Sequence, residues 1–555
     1  MDALRSIARR VQGRSLPWIC VAALGGLLCA DGAVALPDPL FCDPSFELPN
    51  AAASVAHFQA PSGAGGIVVG ALLGFIGVFV ALIAAYSTRH YVFAISRLFL
   101  PQRAPYRSII DAQWPMLTVF VAAHNEEAVV ADCLQALLRT TYPHDRLTIV
   151  PVNDRSTDRT REIVDAITET APTLIRPFHR TTGKPGKAAA LKDALHDIRT
   201  DIMIVFDADY LPRPSLLKEL VAPFFDPEVG AVMGRVVPQN AGRNLLTRLL
   251  DLERAGGYQV NQQARMAMSL VPQYGGTVGG LRKSALDEAG GWRDDTLAED
   301  TDMTYRLLLK GWRTAYLNYA ECYEEVPERW PTRKRQLTRW AKGHNQTMLS
   351  CTVPLLRDRS LHPGCRLDGM LLLGVYLMPA LLALAWVVAA LLYFINVTAP
   401  IVLELVLTLV ALFALSAFGN FGVFFEIVVA ARLDGHARRL RMMPLNAIGF
   451  CVTIASVTHA LSGLVLDALF KRELKWDKTE RFRRPAATVP GFAATAGSPA
   501  GVAAGLGTGI PGSGPGELAV AMVDVLTAST PGGLPPMASG PAGAVPVAVS
   551  FPAGE

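Results

Sequence analysis

Between Gly66 and Tyr86 the sequence GIVVGALLGFIGVFVALIAAY carries no charged side chain. It has roughly the twenty apolar residues a helix needs to cross a bilayer. Arg89, His90, Arg97, Arg103 and Arg107 follow it. Positive flanks stay on the cytoplasmic side of a membrane, so a transmembrane helix over 66–88 delivers everything after it to the cytoplasm.

The rest of the chain is partitioned around this span. Upstream, a shorter apolar run from Trp18 to Ala30 follows Arg5, Arg9, Arg10 and Arg14, and Ala33-Val34-Ala35 offers a cleavage site. Residues 1–35 are therefore a signal peptide or a short signal anchor, and 36–65 lie outside the cytoplasm. Downstream, Leu367–Val397, Ile401–Ala431 and Met442–Phe470 are three further candidate helices in a C-terminal membrane region, 347–484. Two rules collide there. Three full spans would put the chain end outside, yet Lys471, Arg472, Lys475, Lys478, Arg481, Arg483 and Arg484 follow directly. A re-entrant or interfacial third segment resolves the conflict and keeps 471–484 cytoplasmic. From Pro485 to Glu555 the chain is rich in Pro, Gly and Ala, a composition expected to be disordered.

Composition narrows function by exclusion. The 555 residues exceed one compact core. A net charge of +4 makes no case for nucleic acid. The eight cysteines form no C-x-x-C pair and have no zinc-ligand spacing, so they read as small apolar residues. Ionisable residues in the apolar runs are few, mainly Glu404, Glu426 and His459, which is little material for an ion-coupled transporter. With Asn420 they could instead line a polar sugar channel.

Residues 115–346 read as an ordinary charged domain. MLTVFVAAH, LTIVPVND and DIMIVFDAD are apolar strands that end in polar residues, and helical patterns lie between them at Glu126–Thr140, Thr157–Thr170 and Gly186–Asp197. Strand alternating with helix predicts a parallel α/β sheet, whose ligands bind beyond the carboxyl ends of the strands. Asn125 and Glu126, Asn153 and Asp154, then Asp207 and Asp209 all arrive at that edge.

Four groups there have definite chemistry. Asp207-Ala208-Asp209 can hold a divalent ion against a nucleotide diphosphate, although a lone D-x-D also caps turns. Glu299-Asp300 opens a helical pattern. Asp300 there is either a first-turn acid favoured by the helix dipole or a general base for a sugar hydroxyl, and the two roles are compatible. Gln336-Leu337-Thr338-Arg339-Trp340 follows a basic run. Its tryptophan can stack on a sugar and its arginine can pair with a diphosphate, or both can anchor an interfacial helix.

In order, VNDRSTD, FDADYLP, LAEDTD and QLTRW, with VAAHNEE ahead of them and GKAAALKDAL and GGTVGGLRKSALDEAGGW between them, resemble family 2 glycosyltransferases. The resemblance is to the processive branch of cellulose, chitin, hyaluronan and poly-N-acetylglucosamine synthases. It covers residues 115–346 well and the membrane layout in outline. It implies an α/β GT-A (nucleotide-diphospho-sugar transferase) cytoplasmic domain inserted between transmembrane helices, in a multi-pass protein of the plasma or inner membrane. It implies that Asn125, Glu126, Asp154, Lys187 and Asp207 bind the donor nucleotide, that Asp207 and Asp209 bind Mg²⁺ or Mn²⁺, and that Asp300 is the catalytic base. Glu299, Gln336, Arg339 and Trp340 would serve the acceptor and the leaving diphosphate. Trp476, Lys478 and Thr479, in WDKT, resemble the loop that gates such sites. The implied partners are a UDP-sugar donor, a growing glycan acceptor, the lipid bilayer, and export or accessory proteins.

Polymerisation of glucose or N-acetylglucosamine with inversion to a β-linkage, and translocation of the product, is the activity this resemblance implies. Single-sugar transfer to a lipid and a silent nucleotide-binding assembly protein are the alternatives. Two departures stand out: Arg155 replaces a frequent glycine, and no cyclic-dinucleotide module is visible.

Overall fold

The computed structural model describes residues 64–394, 421–469 and 482, apart from 103 and 110–112. Trp476, Lys478, Thr479, the Trp18–Ala30 run and the Pro485–Glu555 tail lie outside them.

Eight strands form one sheet in the order β3-β2-β1-β4-β7-β6-β8-β5. They are β1 (Leu117–Ala123), β2 (Leu147–Asp154), β3 (Phe178–Arg180), β4 (Ile202–Asp207), β5 (Leu211–Pro212), β6 (Val229–Pro238), β7 (Gly279–Arg282) and β8 (Arg313–Glu324). β3, β2, β1 and β4 are mutually parallel, as strand–helix alternation predicts. The apolar residues of β1, β2 and β4 are buried on both faces apart from the partly buried Ala122. Register aligns the functional ends: Ala123 lies opposite Asn153, and Ala122 opposite Asp207.

Beyond β4 the chain leaves the stretch that the strand–helix alternation covers. β7 runs antiparallel between β4 and β6, making the sheet mixed. Gly279 and Gly280 permit this, because a Cβ at Gly280 would stand 2.8 Å from the Phe224 ring and one at Gly279 2.6 Å from the Tyr274 ring. Helices α2 (Val130–Leu138), α3 (Thr160–Thr170) and α4 (Lys187–Ala194) cover the parallel half. The chain then adds α5 (Leu245–Ala255), α6 (Glu299–Leu309) and the long α7 (Trp330–Arg357).

The apolar run is helix α1 (Ala64–Phe99), which continues well past Tyr86. Its basic residues do more than flank a membrane. Arg89 joins Arg265 around Asp368, and Arg97 donates to the Gln259 backbone and side chain at 3.0 Å each. The described part of the Leu367–Val397 run forms two helices, α8 (Pro363–Leu373) and α9 (Met378–Phe394). The stretches Pro363–Tyr376 and Met378–Leu391 meet at 66°. Gly374 at the bend lies against Tyr86, and Pro379 opens the second helix, so both ordinary causes of a kink are present. Of Ile401–Ala431, only the end is described, in α10 (Phe421–Leu433).

The third run forms α11 (Asn446–Leu469). Gly66–Phe99 and Ala437–Leu464 are each long and apolar enough to cross a membrane, and the bent pair is a third candidate. Yet both ends of 437–464 touch helices of the catalytic domain. Arg439 pairs with Asp251 of α5, while Val457 and Ala460 pack on Ala341 of α7. The Phe482 N–H then donates to Glu325 at 2.6 Å, and the Arg329 guanidinium lies 5.8 Å from its ring.

Candidate active site

The turns after β1 and β2 are stitched together. The Asn125 N–H donates to Ser156 Oγ, and its side-chain oxygen accepts the Thr157 N–H at 2.7 Å. The buried Glu126 donates its N–H to Thr160 Oγ1. Asn125 and Arg155 both have positive φ, 54° and 52°. Asparagine tolerates that region, and at 155 the need for it explains why a glycine is the easier residue. Asn125 and Glu126 thus shape the rim of the site.

Asp154 is buried and accepts from Arg155 Nε at 2.9 Å, Arg180 Nη1 at 3.0 Å and the Gly186 N–H at 3.1 Å. Burial opposes its charge, but Arg155, Gly186 and Arg180 win and hold its pKa below the ordinary carboxylate value. With Arg155 Nη2 also in reach, protein donors fill its lone-pair directions. A nucleotide would meet Asp154 by displacing Arg155, whose side chain is 27% exposed.

Lys187 opens α4 and donates to Asp207 Oδ1 at 2.5 Å and the Gly276 carbonyl at 2.8 Å. Burial alone would lower its pKa, but Asp207 and Glu299 raise it, so it stays a cation. Asp209, two residues on from Asp207, is buried. Among the described residues no three His, Cys, Asp or Glu side chains gather as a closed metal cage. The partly exposed Asp207, which shares its Oδ1 with Lys187, and the buried Asp209 nonetheless match the chemistry of Mg²⁺ or Mn²⁺, which take one or two carboxylates and complete their shell with phosphate oxygens and water.

Glu299 and Asp300 start α6, as their sequence pattern predicts, and Asp300 Oδ1 accepts the Thr301 N–H at 2.6 Å. Burial and the Asp300 charge raise the Glu299 pKa, while Lys187 and Arg339 draw it down. The acidic pair, the lysine and the arginine of QLTRW therefore share one electrostatic site. Gly276, at φ 71°, lies so close that a Cβ there would sit 3.1 Å from the Asp300 Cβ. Position 276 therefore needs glycine for both its conformation and its space.

In α7, Gln336 accepts from Arg333 Nη1 at 2.8 Å, and Arg333 pairs with Glu253 at 2.5 Å. The guanidinia of Arg254 and Arg333 each lie 5.3 Å from the Trp340 ring. Trp340 thus organises two cations. Arg254 is in turn held by Glu324 at 2.7 Å, which accepts from Tyr210 Oη at 3.0 Å next to Asp209. This chain links the D-x-D strand end to QLTRW.

Arg254, Glu324, Gln273, Tyr274, Thr301 and His344 escape sequence reasoning. Gln273 donates to Thr301 Oγ1 at 2.9 Å, and His344 Nε2 lies 2.9 Å from the same hydroxyl. The one available signal is the position of His344 a helical turn beyond Trp340. Burial lowers the His344 pKa to about 4, against an upward pull from Asp300. Between about 4 and the ordinary value near 6.5 the unfolded chain binds this proton and the folded one does not. Stability contributed by His344 is therefore complete above that window and lost as pH falls through it. Thermal unfolding followed from pH 7 to pH 4 is expected to lose less stability in His344→Gln than in the parent, and equal slopes would contradict the assignment.

Residues 115–343 match the family described as "Glycosyltransferase like family 2". The probable glycosyltransferase YdaM of Bacillus subtilis is 29% identical over 389 residues, which cover 67% of this chain and 88% of that protein. A beta-monoglucosyldiacylglycerol synthase of Synechocystis sp. is 33% identical over 294 residues, 52% of this chain and 61% of that protein. Among solved structures, mannosyltransferase PcManGT from Pyrobaculum calidifontis in complex with GDP-Man and Mn²⁺ superposes with a TM-score of 0.48 at 22% identity, over 72% of this chain and 100% of that one. The mixed sheet, with its site at the parallel strand ends, is a GT-A-like glycosyltransferase fold. The chain is a glycosyltransferase.

Proposed function

We propose that this glycosyltransferase is held in a membrane with its catalytic domain on the cytoplasmic side and transfers one hexose from a UDP-sugar to a lipid hydroxyl. The observation that carries the reading is a cavity of about 440 Å³ between the catalytic domain and the apolar helices. Its walls are largely aliphatic and aromatic, among them Ile83, Leu382, Phe424 and Phe450. Its polar lining includes Glu253, Arg333 and Asn446, and also Gln273 and His344, the two residues that meet at Thr301 beside Asp300. Such a space suits acyl chains with a hydroxyl presented to the base. The monoglucosyldiacylglycerol synthase among the relatives supports the same acceptor class.

In this reading Asp300 takes the proton of the acceptor hydroxyl as that oxygen attacks the anomeric carbon and the bond to the diphosphate oxygen breaks. A Mg²⁺ or Mn²⁺ ion at Asp207 and Asp209 would neutralise charge on the diphosphate. Lys187 and Arg339 supply fixed positive charge at the same place. One inverting displacement yields a β-linkage, with no carboxylate nucleophile.

Detergent-purified protein supplied with radiolabelled UDP-glucose, Mg²⁺ and diacylglycerol is expected to yield label in the organic phase, as a lipid bearing one sugar. Label confined to long water-soluble chains would instead establish the polymerising reading suggested by QLTRW.

A further inference from the structure

We propose that the arginine-rich turn between α10 and α11 is a docking surface for anionic phospholipid headgroups, and that its occupancy sets the two cavity walls it connects. This rests on the membrane reading above. From Arg432 to Arg441 the turn carries four arginines, His436 and one acid, Asp434. Asp434 is consumed inward, accepting from Arg235 Nη2 at 2.5 Å and Gln259 Nε2 at 2.6 Å. Arg439 pairs with Asp251 of α5.

Arg432, Arg438 and Arg441 remain exposed, with no ion pair to any described residue. On the inner side Leu440, Met442 and Met443 pack against Leu252, Ile427 and Ala431. Just beyond, Leu445 is 41% and Ile448 46% exposed. Exposed guanidinia followed by exposed aliphatic side chains mark a segment at the lipid boundary, with arginines at phosphate level and apolar side chains among acyl chains. A soluble polyanion would account for the arginines and leave the neighbouring Leu and Ile in water.

The turn has mechanical leverage on the site. α10 contributes Val423, Phe424 and Ile427 to the cavity, and α11 contributes Gly449 and Phe450. Headgroups bound to the turn fix the spacing of these two walls, and the Arg439–Asp251 pair carries the constraint to α5, which adds Leu246 and Leu250.

The test uses the full chain in phosphatidylcholine vesicles with or without phosphatidylglycerol, measuring retained phosphatidylglycerol and transfer from the labelled donor. The parent is expected to be stimulated by phosphatidylglycerol and to lose that stimulation at high salt. The double substitution R438E/R441E should keep the phosphatidylcholine rate and retain about tenfold less phosphatidylglycerol, without stimulation. Charge reversal at the exposed Arg199 of the catalytic domain should change neither. An unaltered phosphatidylglycerol response in R438E/R441E overturns the proposal and leaves the acceptor reading intact. Failure of the parent to enter either vesicle overturns the membrane reading and this proposal together.

Discussion

Asp300→Asn is expected to lower kcat by about 10²- to 10⁴-fold, the usual contribution of a positioned general base, with donor KM and the unfolding midpoint nearly unchanged. The substitution separates the two roles that a carboxylate at a helix start can play. At the second helical position asparagine gives up only the small helix-dipole contribution of the charge, about 0.3–1 kcal/mol. Its amide oxygen can keep the 2.6 Å bond to the Thr301 N–H that Asp300 Oδ1 makes. The side chain is nearly isosteric, so the close approach of Gly276 is undisturbed. What disappears is the capacity to accept a proton, together with one negative charge beside Glu299 and Lys187. Loss of that charge should ease the ionisation of Glu299, whose pKa is raised in part by Asp300. Steady-state transfer, donor binding by calorimetry and thermal unfolding together distinguish the two roles. A kcat within about twofold of the parent would place the base elsewhere and leave Asp300 a helix-start acid.

The parts of this molecule that sequence reasoning reaches are those where one physical rule dominates a short stretch. β1, β2 and β4 are apolar runs closed by polar residues, and the register that aligns Ala123 with Asn153 and Ala122 with Asp207 follows from parallel pairing. Asp207, Lys187, Glu299, Asp300 and Arg339 sit on such ends and helix starts or in QLTRW, and the structure brings them together. The antiparallel β7 is hidden from the sequence because GGLR has no strand-like side chains at its start, and its place depends on room left by Phe224 and Tyr274. Hydropathy counts apolar residues without regard to direction, so the bend at Gly374 is invisible to it, although Gly374 and Pro379 are the punctuation that warns of one. Gln273, Thr301 and His344 meet only in three dimensions, across 28 and 43 residues of chain. Trp340 shows the limit from the other side. Its ring chemistry allows a sugar or a cation, and only the packing of α5 on α7 reveals two guanidinia beside it.

That arrangement makes Glu324 the residue whose loss should be felt furthest. Its side chain is 9% exposed and accepts from both Arg254 and Tyr210. Glu324→Ala leaves the Arg254 guanidinium, itself only 21% exposed, without its carboxylate. Removing one partner of a buried pair costs about 3–5 kcal/mol, and the partial exposure of Arg254 places the expected loss near the lower end, about 3 kcal/mol. A lowered unfolding midpoint would report it. Stability alone does not show that the network serves catalysis, so Arg254→Lys supplies the second measurement. Lysine keeps the charge for Glu324 but loses the planar guanidinium that lies 5.3 Å from the Trp340 ring. If Trp340 is positioned for the acceptor by that contact, Arg254→Lys should raise acceptor KM by about tenfold, in line with a cation–π contact of about 1–2 kcal/mol, while donor KM holds. If instead donor KM rises and acceptor KM is constant, the guanidinium acts on the diphosphate. The Tyr210–Glu324–Arg254 chain would then belong to the D-x-D end of the site. Either split assigns the network to one substrate, because Glu324 touches the D-x-D strand end through Tyr210 and QLTRW through Arg254.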